Sequence, residues 1–100
     1  MSSSIESKMG ITIRLTDERW SHIVEEHAEM TGLRNEILET IRNPERIFIG
    51  NESERLAVRE QSSGKYLVAI YREDENDGFL ITAFMTRRIN TLERKQLLWP

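Results

Sequence analysis

His22 and His27 are the only imidazoles in a chain of 100 residues that contains no cysteine. At about 100° per residue in a helix, Trp20, Ile23, Val24, His27 and Met30 fall within about one third of the circumference, with His27 at its middle. Glu18, His22, Glu25, Glu26 and Glu29 lie opposite. An imidazole in an apolar stripe must find a hydrogen-bond partner or remain a costly buried polar group. His27 is therefore either a satisfied core histidine or a general acid or base, poised by burial and by a carboxylate such as Glu26 or Glu29. His22, midway round the polar arc, reads as a solvated surface residue. The two are offset by about 140° on the helix, so they do not form the i, i+4 pair that binds zinc. Gly-x-Gly and Gly-Lys-Ser/Thr phosphate loops are absent, as is a serine elbow. No metal or cofactor is expected, which leaves acid–base chemistry or plain binding.

A second group of reactive side chains comes from the later half of the chain, where the apolar pattern has period 2. Residues two apart on a strand share a face. One set, Leu56, Val58, Tyr66, Val68, Ile70, Phe79, Ile81, Ala83 and Met85, is nearly all apolar and is expected to form the core under the helices. The other holds Arg55, Ala57 and Arg59, then Lys65, Leu67, Ala69 and Tyr71, then Leu80, Thr82, Phe84 and Thr86. Cations, hydroxyls and aromatics on one face suit a phosphate-bearing ligand. An ordinary half-solvated antiparallel face has the same character.

The elements that must position these residues can be read from the punctuation. Ile11 to Leu15 alternates as a short strand or extended lead-in. Thr16 is an N-cap followed by Asp17 and Glu18, favoured at a positive helix end. The first helix is expected to end near Met30, with Thr31-Gly32 as the break. Leu33, Ile37, Leu38 and Ile41 define a second helix, stopped by Asn43-Pro44. Four strands are predicted: Arg46 to Ile49, Arg55 to Gln61, Lys65 to Arg72 and Phe79 to Thr86. Their short turns favour an antiparallel meander; the last is the acidic Glu73 to Gly78 loop. Asn90 and Glu93 resemble a capping box for a short C-terminal helix carrying Leu92, Leu97 and Trp99. The predicted class is α+β, with N-terminal helices on one face of a four-stranded antiparallel sheet.

Composition bounds the function classes. With 31% charged and 38% hydrophobic residues, the chain suits one domain, 11–100, behind a disordered Ser-rich leader at 1–10. No apolar run approaches the roughly 20 residues of a membrane span, and the leader lacks a secretory apolar segment, so a cytoplasmic protein without membrane partners is expected. The net charge of −3 argues against nucleic-acid binding by bulk positive charge. Yet residues 51–100 carry 8 acids and 8 bases, and four of those acids are Glu73, Asp74, Glu75 and Asp77. Outside that loop the second half is basic.

Leu15-Thr16-x-Glu18-Arg19-Trp20-x-His22-Ile23, then His27, Ile41, Pro44-Glu45-Arg46-Ile47, Ala57-x-Arg59, Tyr66-Leu67-Val68, Tyr71 and Ile81-Thr82-Ala83-Phe84 together resemble small bacterial and phage-associated proteins. Those proteins are grouped with the barnase, EndoU, colicin and RelE-like nuclease fold, and the resemblance spans about residues 11–90. It implies a toxin-like, metal-independent endoribonuclease whose open sheet face receives RNA and which uses the RNA's own 2′-hydroxyl as nucleophile. On that reading His27 is the general acid or base and Arg59 holds the scissile phosphate as a bidentate fork. Thr82 and Thr86 bind phosphate or 2′-hydroxyl, and Tyr71 stacks or donates from its phenol. Arg55, Lys65 and Arg87 add substrate contacts, and a cognate antitoxin is an expected partner. The competing expectation is a non-enzymatic domain that uses Leu67, Phe84 and Tyr71 to bind a protein or a second copy of itself.

Overall fold

The chain is described from a computed structural model covering residues 3–74 and 77–100. The order is β1 (Ser3–Glu6), β2 (Thr12–Leu15), α1 (Asp17–Glu26), α2 (Arg34–Arg42), β3 (Arg46–Ile49), β4 (Arg55–Ser62), β5 (Lys65–Asp74), β6 (Asp77–Thr86) and β7 (Gln96–Trp99). The strands form one seven-stranded sheet in the order β1-β2-β6-β5-β4-β3-β7. This overturns the four-stranded antiparallel expectation. The sheet is mixed, because β2 runs parallel to β6 through Ile13–Gly78 and Arg14–Phe79. The three added strands come from stretches read otherwise. Ser3–Glu6, in the expected leader, pairs with β2, and the extended lead-in is β2 itself. The expected C-terminal helix is a 3₁₀ turn at Ile89–Thr91 followed by β7, which pairs with β3. Four residues on an exposed edge have too few neighbours for a period-2 pattern to be read from sequence. Much of the predicted acidic loop is strand, since β5 continues to Asp74 and β6 begins at Asp77; Glu75 lies outside the described residues.

The helices cover the face opposite to the one expected. Ala57, Ala69 and Ala83 stand in register on β4, β5 and β6, all fully buried. This row of small side chains forms a trough in which Ile23 and Met30 from the α1 end and Ile37 and Ile41 of α2 pack, together with Leu67, Tyr71 and Leu80. A β-bulge explains the rest. Ile70 pairs with Thr82 but Tyr71 pairs with Leu80, so Ile81 is the extra residue and the facing of β6 inverts there. Leu80, Ala83 and Met85 therefore point to the helices, and Thr82, Phe84 and Thr86 to the outer face. That face carries a second core of Phe48, Leu56, Val58 and Val68, capped by Leu92. The Arg46–Glu93 contact at 2.8 Å fastens the capping segment.

Two contacts close the layers. Arg34 at the start of α2 donates to Asp17 at 3.2 Å and to the Ser3 hydroxyl at 3.0 Å, tying both helices to β1. Lys8, just after β1, sits 4.7 Å over the ring of Trp99 in β7, so the two ends of the sheet order curl around to meet. Gly78 lies between β2 and β5, where a Cβ would come within 2.5 Å of the Ile13 Cδ1 and 2.7 Å of the Arg72 carbonyl. Among the described residues, no helix is long and apolar enough to cross a membrane. Filling the trough should be costly: Ala69→Leu is expected to destabilise the fold by roughly 1–3 kcal/mol, read as a lowered urea midpoint at unchanged m-value. An exposed Gln61→Leu control should leave the midpoint nearly unmoved.

Candidate functional site

α1 ends at Glu26, earlier than expected, because His27 leaves the helical conformation at φ −134°, ψ 78° while its amide still donates to the Ile23 carbonyl at 2.7 Å. Ala28–Met30 rewinds as a 3₁₀ turn. Met30 takes the buried place and the His27 side chain swings to the rim, 35% exposed. Its Nδ1 lies 3.6 Å from a Glu29 carboxylate oxygen, and its ring centroid is 6.1 Å from that of Phe84. Nε2 has no partner among the described residues.

The backbone explains how a helix residue reaches a side chain of the outer face. β2 pairs with β6 only at its start, and the chain then leaves the sheet at Thr16 to form α1. Ten helical residues rise about 15 Å, close to the roughly 14 Å that β6 covers from Leu80 to Phe84. His27 thus arrives at the edge of β6 beside Phe84. Phe84, Thr82 and Thr86 occupy one column on the outer face, with Ile70, Val68 and Tyr66 as their cross-strand neighbours. Phe84, Tyr66 and Ile70 are half-buried, and Ile89 and Leu92 cover the portion nearer β3. Thr82 Oγ1 is buried without a hydrogen-bond partner among the described residues. The Thr86 hydroxyl accepts from the Arg88 amide at 2.9 Å, and Arg87, exposed, reaches the Ser63 carbonyl at 3.5 Å. Lys65 follows the same β4–β5 turn.

The remaining expected site residues lie elsewhere. Arg59 is on the helix side, donating to the Asn43 carbonyl at 3.1 Å and 3.7 Å from a Glu39 oxygen. It neutralises the negative C-terminal end of α2 and has no hydrogen bond or ion pair to His27. Tyr71 is fully buried in the helix-face core. Arg55 faces the same way, with Nε 3.4 Å from Glu73 and Nη1 donating to the Ser53 carbonyl at 2.6 Å. Ser7 Oγ donates to the other Glu73 oxygen. These are structural contacts of a buried polar cluster. Leu67, expected at an interface, is likewise fully buried. Comparison with family models, curated proteins and solved structures finds no match. The site therefore rests on geometry: His27, Glu29, Phe84, Thr82 and Thr86 at the rim of β6, with Tyr66, Arg87 and Arg88 at one end.

Of the two carboxylates expected beside His27, Glu29 is the one in contact, whereas Tyr66, expected in the core under the helices, is an outer-face neighbour instead. One signal was available: Phe79-Leu80-Ile81 is an unbroken apolar run, which strict alternation cannot place on one face and a bulge can.

Tyr71 supplies a stability prediction. Burial first, and the nearby Glu73 carboxylate second, push its phenol well above the ordinary value of 10.0. A proton held more tightly in the folded state gives stability that is complete below pH 10 and falls as pH rises beyond it, where the unfolded chain ionises first. Tyr71→Phe is expected to flatten that decline, measured as urea midpoints at pH 8 and pH 11. Its hydroxyl has no hydrogen-bond partner among the described residues, so the variant should lose little stability at pH 8.

Proposed function

We propose that this protein binds single-stranded RNA along the outer column of β6 and cleaves it without a metal, with His27 as the acid–base residue. The observation that carries this reading is the His27 imidazole at the rim, with Glu29 beside Nδ1 and the ring of Phe84 6.1 Å from its own. A carboxylate near one nitrogen favours the proton there and leaves the other as a base. In such a reaction the 2′-oxygen attacks phosphorus as His27 takes its proton. The P–O5′ bond breaks, the 5′-oxygen leaves taking a proton from water, and the protonated His27 returns its proton to solvent, giving a 2′,3′-cyclic phosphate. Phe84 and Tyr66 offer faces for bases, and Arg87, Arg88 and Lys65 supply positive charge at the Thr86 end. The resemblance of the 11–90 segment to small nuclease proteins points the same way.

This reading reassigns the expected roles: Arg59 and Tyr71 serve the fold. Total RNA incubated in EDTA, with and without ribosomes, is expected to yield fragments ending in cyclic phosphate. His27→Ala should reduce the rate roughly 10²- to 10⁴-fold while keeping the circular dichroism spectrum. Arg59→Ala should lower stability and spare cleavage. Intact RNA under both conditions would remove the catalytic reading.

The second reading keeps the strip for a protein, an antitoxin or a second copy of this chain. Half-buried Phe84, Tyr66 and Ile70 favour it. A mass above 11.8 kDa by light scattering, lowered by Phe84→Ser, would support it.

A further inference from the structure

We propose that the notch where β2 parts from β6 is an anchoring subsite for one nucleotide of the bound strand, remote from His27; its assignment to RNA rests on the reading above. The notch encloses about 200 Å³ between Arg14, Thr16, Arg19, Phe79 and Leu80. Phe79 is 39% exposed, an unusual amount for an aromatic in the interior of a sheet order. The register explains its flanks: Phe79 stands opposite Arg72 on β5 and Arg14 on β2, so a cation lies on each side of the ring on the outer face.

The three arginines are not equivalent. Arg14 is held by Asp77 at 2.7 Å, which fixes its direction and balances part of its charge. Arg72 lies near Glu54, whose carboxyl is held below its usual range first by the Glu52 amide and then by its own, with Arg72 and Lys95 adding attraction. Arg19 has no ion pair or side-chain hydrogen bond among the described residues, and the nearby Asp17 is engaged by Arg34 at 3.2 Å. An open guanidinium lining the same notch as a part-exposed aromatic ring matches a nucleotide: the ring takes the base and Arg19 takes the phosphate.

The position gives the subsite its use. Arg19 is in the first turn of α1 and His27 at its end, so the helix spaces the notch from the imidazole by about 12 Å. A strand laid along the outer column of β6 touches both, whereas a dinucleotide at His27 leaves the notch empty. The subsite thus selects for strand length.

The test uses isotope-labelled full chain and two probes, uridine 5′-monophosphate and a uridine decamer. The Phe79 ring and Arg19 side-chain resonances are expected to shift with both. Phe79→Ala should weaken decamer binding roughly 5- to 150-fold, the range for losing one base–aromatic stack, and Phe79→Leu should not restore it. Arg19→Ala should lower the slope of log affinity against log salt by roughly 0.7, one phosphate contact on a single strand. Unshifted resonances, or a Phe79→Ala variant that binds the decamer as tightly as the parent, would overturn the subsite. The two readings fail separately: RNA cleavage with silent Phe79 signals removes the notch alone, while Phe79 shifts without cleavage keep the notch and remove the chemistry.

Discussion

Three alanines in register across three strands govern this architecture. Helices can lie close to a sheet only where the side chains between them are small, and Ala57, Ala69 and Ala83 clear that space on one face alone. The isoleucines of α2 and the Ile23–Met30 end of the first helical segment fill it. Everything that distinguishes the two faces follows. Tyr71 and Leu67 become core residues, Arg55 and Arg59 become the polar margins of a helix-covered surface, and the larger Leu56, Val58 and Val68 turn outward, where only a short capping segment is needed.

The bulge at Ile81 is the second constraint, because it lets one strand serve both layers. Before it, Leu80 joins the helix-face core and Phe79 is left outward between Arg14 and Arg72; after it, Ala83 completes the alanine row while Thr82 and Phe84 face out. Without the extra residue, either Leu80 or Ala83 would point the wrong way, since a shift of one residue inverts every side chain beyond it. The same irregularity assembles the outer strip. His27 meets it because α1 takes over the edge of β6 where β2 stops, so the helix length sets where the imidazole arrives.

Charge follows a similar division. The acidic total conceals cations that gather at the two ends of the β6 column, Arg14, Arg19 and Arg72 at one and Lys65, Arg87 and Arg88 at the other. Other arginines are turned to local tasks, as Arg59 is at the end of α2 and Arg34 between the helices. An arginine's presence in a strand says little about its availability. Its nearest carboxylate or carbonyl decides that, and those partners come from distant parts of the chain.

The sequence alone sufficed for the helix start capped by Thr16, the break at Asn43-Pro44 and the β3 to β6 strands. Each is a local signal: a cap, a proline, a period-2 run. The seven-stranded mixed sheet, the strand roles of Ser3–Glu6 and Gln96–Trp99, and the face on which the helices pack emerge from long-range contacts instead. Short edge strands and a parallel pairing are stabilised by partners far away in sequence, which no local pattern encodes. The facing of β6 depended on a single unpaired residue, and the packing of the helices depended on side-chain volume. Polarity had favoured the all-apolar face as the core, but a helix layer over a sheet needs room first, and the alanines provide it.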